Sequence, residues 1–296
     1  MISLLKYFIP PIFYRFLFFA KGMKAYVKAR NLPKVEYDSQ RGKNLCVIGN
    51  GPSLKESFEK GMSSIKTMDC IVVNQFASTP FFKQLKPSAY LVVDGAYFKN
   101  TEKLTKDLSE TINGTINSII ENVKWNMILY LPFVAYGSSF YNKVKINKHV
   151  KIVFFNNKGL DEELFGKAIL YKLWNHNYMG HLGQTVLNTC IGLGIEMCYS
   201  SIYVIGADTS WHESYKMDQK TNELYIIDKH FYGEKKSLTF KDVAHQHTST
   251  IHEELYCASK ALKSYWLLAD YARYNNVKVY NASAYSWIDA FERTQF

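Results

Sequence analysis

A chain of 296 residues can bury a full hydrophobic core as one large domain, or as a domain with an appendage. With 47% hydrophobic and 21% charged residues and no low-complexity tract, it is neither disordered nor fibrous. The net charge of +10 points first to a polyanion, but residues 1–43 alone carry nine Lys/Arg against two acids, leaving +3 for the rest. With no DNA- or RNA-binding motif in the body, nucleic acid is not an expected partner. The five cysteines are odd in number and lack a C-x-x-C pair, so they read as reduced, mostly buried thiols of a cytoplasmic protein. Twenty-two tyrosines exceed what a core needs, and some rings are expected along a polar cleft.

The first 31 residues hold six basic side chains and no acid, among many Phe, Leu and Ile residues. Pro10, Pro11 and Arg15 interrupt the apolar run below the roughly 20 residues of a spanning helix. No small-residue cleavage site follows the run, which argues against a signal peptide. The combination predicts an amphipathic helix lying on an anionic membrane surface, peripheral to the inner membrane. Packing on the body or joining copies into a homo-oligomer is the other use of such a helix. Residues 1–43 are therefore read as a basic membrane-associating segment and linker, and residues 44–296 as the folded domain.

Cys46-Val47-Ile48 predicts a buried strand that runs into Gly49-Asn50-Gly51-Pro52-Ser53-Leu54-Lys55. Pro52 and Ser53 suit a helix start, so the turn would offer unpaired N–H groups and a positive dipole end to phosphate. An ordinary tight strand–helix connection would use the same residues. The pattern is neither the dinucleotide G-x-G-x-x-G nor the Lys-Ser/Thr phosphate loop. Residues 70–74 predict a second strand ending in Asn74-Gln75, whose amides suit a nucleobase, a ribose or a loop cap. A third strand ends in Asp94, which could meet ribose hydroxyls or a divalent ion. Met127–Leu131 and Val150–Phe155 predict two more strands. Gly180-His181-Leu182-Gly183-Gln184-Thr185 opens a buried helix ending near Cys198 and offers a second anion-accepting helix start. Ile202–Ile205 predicts a strand closed by Gly206-Ala207-Asp208. A long helix, Glu253–Tyr274, precedes a last strand, Val277–Tyr280.

Strands alternating with helices predict an α/β fold with a doubly wound, mainly parallel sheet. Ligands of such sheets bind beyond the carboxyl ends of the strands, which makes Asn50, Asn74, Asp94, Asp208 and Asn281 site candidates. Residues 209–251 show little clean periodicity and read as an irregular lid. Its closing histidines, His245, His247 and His252, include a His-x-His pair that could ligate a metal. No HExxH motif or nearby cysteine supports a metal site, so a single general acid or base is the preferred reading.

These islands, in this order and spacing, resemble the bacterial sialyltransferases of glycosyltransferase family 42. The resemblance rests on Gly49–Lys55, Asn74-Gln75-Phe76, Ile202–Asp208, Ser214-Tyr215-Lys216-Met217-Asp218 and the final helix and strand. It implies a variant GT-A, Rossmann-like fold and an inverting transfer of sialic acid, or a related nonulosonic acid, from a CMP-sugar. No cofactor or metal is implied. The acceptor would be a hydroxyl of a surface glycan or glycolipid of the lipopolysaccharide, lipooligosaccharide or capsule type. Carried over, Gly49, Asn50, Gly51, Ser53 and Asn74 would meet the nucleotide, and Gly206 and Asp208 its cytidine or ribose. Tyr215 would hold the leaving phosphate, and His252, with His247 second, would be the base. Asp94, where the family has Asn, and Gly183-Gln184, where it has Thr-Ser, are similar to a neighbouring group. That group comprises hydroxymethylpterin-pyrophosphokinase-like proteins and flagellin nonulosonate transferases. A Mg²⁺-dependent pyrophosphokinase held at Asp94 and Asp208, or a non-catalytic nucleotide-binding protein of envelope assembly, are the alternatives.

Overall fold

The computed structural model describes residues 35–99, 106–157, 166–176, 180, 185–231, 233–238, 241–242 and 247–296, with helical residues at 13, 16–17, 19–20, 23–24 and 26–27. Its central strands are short and buried on both faces, as a parallel sheet covered by helices requires. In β1 (Asn44–Ile48), Leu45 and Val47 face one core cluster while Cys46 and Ile48 face the other. β2 (Asp69–Val73) repeats this, with Ile71 and Val73 on the first side and Cys70 and Val72 on the second. The period of two thus feeds two separate cores from every central strand.

The remaining strands of this sheet are β3 (Ala89–Leu91), β4 (Met127–Pro132), β5 (Val150–Phe155), β6 (Ser201–Ile205), β12 (Lys278–Asn281) and β13 (Glu292–Arg293). Among the described residues they form an eight-stranded sheet in the order β13-β12-β6-β1-β2-β3-β4-β5. Every neighbouring pair is parallel. One face carries α1 (Leu54–Ile65), α2 (Pro80–Leu85), α3 (Lys106–Asn122) and α4 (Ser139–Val144), through Phe58, Phe82, Ile116 and Phe140. The other carries α5 (Lys167–Asn175), α6 (Val186–Glu196) and α8 (Ile251–Tyr274), through Trp174, Ile191 and Leu268. The protein is a doubly wound, Rossmann-like α/β fold.

Strand order reverses at β1. The chain winds outward from β1 to β5, then returns to place β6 on the opposite side of β1. The carboxyl ends of β1 and β6 therefore diverge into connections on opposite faces, and a crevice opens between them.

The segment read from sequence as an irregular lid contains regular structure. Short α7 (Trp211–Ser214) leads into an antiparallel ribbon of β7 (Tyr215–Met217), β8 (Leu224–His230) and β9 (Gly233–Leu238). β10 (Lys241–Asp242) pairs with β11 (His247–Thr248) in a second small ribbon. The hidden signal is a turn: the Asp218 carboxylate accepts the Lys220 and Thr221 N–H groups, and Asn222 takes a left-handed φ of 56°. That turn folds Leu224–Ile227 back on Tyr215–Met217. The final helix starts at Ile251, two residues before the expected Glu253, where Thr250 and Glu253 form a capping box. Cys46, Cys70 and Cys190 are buried, whereas Cys257 is exposed.

Trp174 anchors the second core. It is fully buried, packs edge-on against Tyr271 at 4.9 Å, and donates its indole N–H to the Gly180 carbonyl at 3.1 Å. Trp174→Ala should cost about 3–5 kcal/mol of unfolding free energy in urea titration, because the cavity lies between two helices that cannot both collapse into it.

Candidate functional site

The crevice at the reversal point is a cleft of about 300 Å³. It is walled by Gly49–Pro52 after β1, Val73–Gln75 after β2, Thr185–Leu187 at the start of α6, and Gly206–Ser210 after β6. Trp211 and Ser214 close it from α7, Ile226 and His230 from β8, and Tyr265 from α8.

Three glycines let the two central loops touch. A Cβ on Gly49 would stand 2.4 Å from the Gly206 carbonyl oxygen, and one on Gly51 would stand 2.2 Å from Asp208 Oδ1. Gly206 has φ +60°, and its added Cβ would meet the Gly49 oxygen at 2.8 Å. Backbone bonds lock the approach: Gly49 N–H to the Ile205 carbonyl at 2.8 Å, and Gly51 N–H to the Gly206 carbonyl at 2.9 Å. Asp208 completes it, accepting the Ser53 N–H at 3.0 Å and the Ser53 hydroxyl at 2.6 Å.

This arrangement differs from the phosphate-accepting turn the sequence predicts. The Asp208 carboxylate already sits at the start of α1, where an anion would go, and favours that dipole end itself. The glycines serve a close loop–loop contact. Asp208 is nearly buried, and burial pushes its pKa up despite the Ser53 hydrogen bonds.

Two acceptors among the cleft residues are left over. Asn50 donates its amide to the Val73 carbonyl at 3.1 Å, which orients Oδ1 away from that bond. Asn50 Oδ1 and Asn74 Oδ1 are both buried and without a hydrogen-bond partner. Each such atom costs about 1–3 kcal/mol until a donor reaches it. Asn74 is held at φ 51° by its position beside Tyr90, whose hydroxyl donates to the Asn74 carbonyl. Thr209 also has a positive φ, 53°, which is costly for a β-branched residue. Strained backbone gathered at one crevice is a mark of a functional site.

On the far wall, Thr185 caps α6 in a box with Asn188, and its hydroxyl lies 3.1 Å from the Tyr265 hydroxyl. Thr185, Val186 and Leu187 at the start of α6 line the cleft; Gly183 and Gln184 themselves lie outside the described residues. His230 is a cleft residue that the sequence reading misses. Its Nδ1 lies 3.3 Å from the Asn50 carbonyl, which also accepts the Phe231 N–H at 3.2 Å. A carbonyl acceptor fixes the proton on Nδ1 and leaves Nε2 as the basic nitrogen of the neutral ring. Next to it, Phe231 packs on Phe76 and Phe81 at 6.1 and 5.9 Å, fastening the end of β8 to the body. No periodicity or motif marks His230; only the ribbon brings it in.

Neither Tyr215 nor His252 is a wall of the cleft. The Tyr215 hydroxyl donates to Glu254 at 3.3 Å, and burial beside that carboxylate pushes its pKa up to about 12. His252, exposed on the same first turn of α8, has Nδ1 2.8 Å from the Thr250 hydroxyl. The side chain of His247 lies outside what is described. Asp94 is not a wall of the cleft: it is exposed and caps a short 3-10 turn by accepting the Ala96 N–H at 2.9 Å. Asn281 is likewise structural, bonded to Ile288 and Ser283 within the core. Among the described residues, no group of three His, Cys, Asp or Glu side chains is placed to hold a metal ion.

No protein-family model matches this chain, and neither does any curated protein. Among solved structures it is similar to the MAf glycosyltransferase from Magnetospirillum magneticum AMB-1, with a TM-score of 0.49 and 13% identity. The similarity covers 91% of this chain but 37% of that one, so the chain spans little more than a third of its neighbour's length.

The loop–loop contact sets a stability test. Gly51→Ala should destabilise by about 1–3 kcal/mol in denaturant titration, because the new Cβ separates Asp208 from Ser53. Asp208→Asn keeps one acceptor and places a donor beside the Ser53 hydroxyl, so it should be nearly neutral at pH 7. The raised pKa means that the folded state holds the Asp208 proton more tightly than the unfolded chain, whose ordinary value is 3.8. Asp208 therefore favours folding most below that value and loses the advantage as pH rises through its folded pKa. The stability of the wild type minus that of Asp208→Asn should fall over this window.

Proposed function

We propose that the protein is an inverting glycosyltransferase that moves sialic acid or a related nonulosonic acid from a CMP-sugar to a glycan hydroxyl. The observation that carries the reading is the pair of unpartnered buried oxygens, Asn50 Oδ1 and Asn74 Oδ1, at the reversal point of the sheet. Turned toward the cleft, both would accept from a ligand rich in donors, such as a cytosine amino group or ribose hydroxyls. A phosphate is not such a donor. The nucleoside end would then lie against β1 and β2, with the phosphate turned toward the first turn of α6 and the lid. The resemblance of Gly49–Lys55 and Ile202–Asp208 to family 42 supports the same ligand.

In this reading the Tyr215 hydroxyl leaves Glu254 and turns to the departing phosphate, donating a hydrogen bond that stabilises charge as the glycosidic bond breaks. A histidine takes the proton of the acceptor hydroxyl. His252 shares the first turn of α8 with the Glu254 partner of Tyr215, while His230 is already in the cleft with its Nδ1 tied to a carbonyl.

CMP should raise the melting temperature, with the shift unchanged by EDTA. Asn74→Gly keeps the positive φ and deletes the buried oxygen, so it should weaken CMP binding about tenfold by calorimetry. A wild-type chain that ignores CMP would overturn the reading. His252→Asn and His230→Asn separate the two bases: the true one loses transfer to the acceptor while retaining CMP binding.

The N-terminal segment completes the proposal. Phe13, Phe16 and Leu17 are exposed on helical residues beside a basic composition, which fits a peripheral contact with an anionic inner-membrane surface. Among the described residues, no helix is long and apolar enough to cross a membrane. Removing residues 1–30 should abolish sedimentation with phosphatidylglycerol vesicles, and unchanged sedimentation would refute the contact.

A further inference from the structure

Beside the cleft mouth stand three large aromatic side chains that the nucleotide reading does not use. Trp211, a cleft wall itself, is 36% exposed, and Tyr285 and Trp287 are each 46% exposed. Tyr285 and Trp287 belong to the connection between β12 and β13. That connection is fastened to the loop after β6: the Trp287 N–H donates to the Asp208 carbonyl at 2.9 Å, and the Ser286 hydroxyl to the Ala207 carbonyl at 2.6 Å.

The rings are also held by one another. Glu213 Oε1 accepts the Tyr285 hydroxyl at 2.6 Å and the Trp287 indole N–H at 3.2 Å. That indole N–H lies 2.8 Å from the Tyr285 oxygen, and the His212 ring stands perpendicular to Trp287 at 4.4 Å. The polar edges of Tyr285 and Trp287 are thus turned inward to Glu213. Half of their surface stays in water, and their side-chain entropy is already lost. An exposed aromatic group so fixed is not a leftover of folding, because nothing in the core needs it.

We propose that Trp211, Tyr285 and Trp287 form the subsite for a pyranose ring of the acceptor glycan. A pyranose presents C–H groups on its face and hydroxyls around its rim. The aromatic faces suit the first, and the Glu213 carboxylate at their centre accepts from the second. Trp211 lines the cleft and lies two residues before Glu213 in α7, so a sugar resting on the rings would present its next hydroxyl toward the cleft mouth. A bilayer contact fits less well, since a carboxylate at the centre of the patch would be repelled by anionic lipid. Assigning this sugar to the acceptor rests on the glycosyl-transfer reading.

The test follows indole fluorescence of the full chain during titration with methyl β-galactoside, methyl α-glucoside and N-acetylglucosamine, taking the difference between wild type and Trp287→Phe to isolate Trp287. At least one pyranoside should quench or shift this signal. Trp287→Phe should bind it within a few-fold of wild type by saturation-transfer NMR, and Trp287→Ala about tenfold more weakly. Should Trp287→Ala fail to fold by circular dichroism, Tyr285→Ala carries the same expectation. No response to any pyranoside, or a response to phosphatidylglycerol vesicles instead, would overturn the proposal. The wild-type response to CMP is read separately, so a chain that binds sugar but ignores CMP sinks the nucleotide reading and leaves the rim standing.

Discussion

Everything at the crevice depends on the contact between the loop after β1 and the loop after β6. Two parallel strands lie side by side, yet their connections must leave toward opposite faces of the sheet. Backbones can cross at that distance only where Cβ atoms are missing, which is why Gly49, Gly51 and Gly206 meet one another. Asp208 then joins the loops chemically by taking both polar hydrogens of Ser53 at the start of α1. The rim is built on the same support, since the loop bearing Tyr285 and Trp287 hangs from the carbonyls of Ala207 and Asp208.

That contact also decides the polarity of the cleft. A helix start filled by a carboxylate from its own chain no longer attracts phosphate. The oxygens of Asn50 and Asn74 are left unpaired on this side, and the first residues of α6 line the opposite wall.

Much of this was readable in the sequence. Strand identity followed from short β-branched runs such as Val47-Ile48 and Ile71-Val72-Val73, and sheet class from their alternation with amphipathic helices. Strand ends gave Asn50, Asn74 and Asp208 as residues near one place, because a parallel sheet gathers carboxyl ends on one edge. What each does there was not readable. Whether Asp208 faces a ligand or Ser53 depends on a separation of 155 residues closed by folding. Asp94 looked equivalent to Asp208 by pattern, but β3 is three strands from β6 in the sheet. The ribbon of β7–β9 was hidden because its turn is specified by Asp218 and a left-handed Asn222 rather than by a glycine, and with it went His230.

The fastening of β8 has a mechanical corollary. The carbonyl that holds His230 and Phe231 belongs to Asn50, the residue whose side-chain oxygen is buried without a partner. A shift of the Asn50 backbone therefore moves the atom that both residues bond to. Whatever reorients Asn50 is transmitted to the ribbon through a single residue, with Phe231 wedged between Phe76 and Phe81 as its pivot. The position of the loop after β1 and the position of β8 above it are in this way tied together.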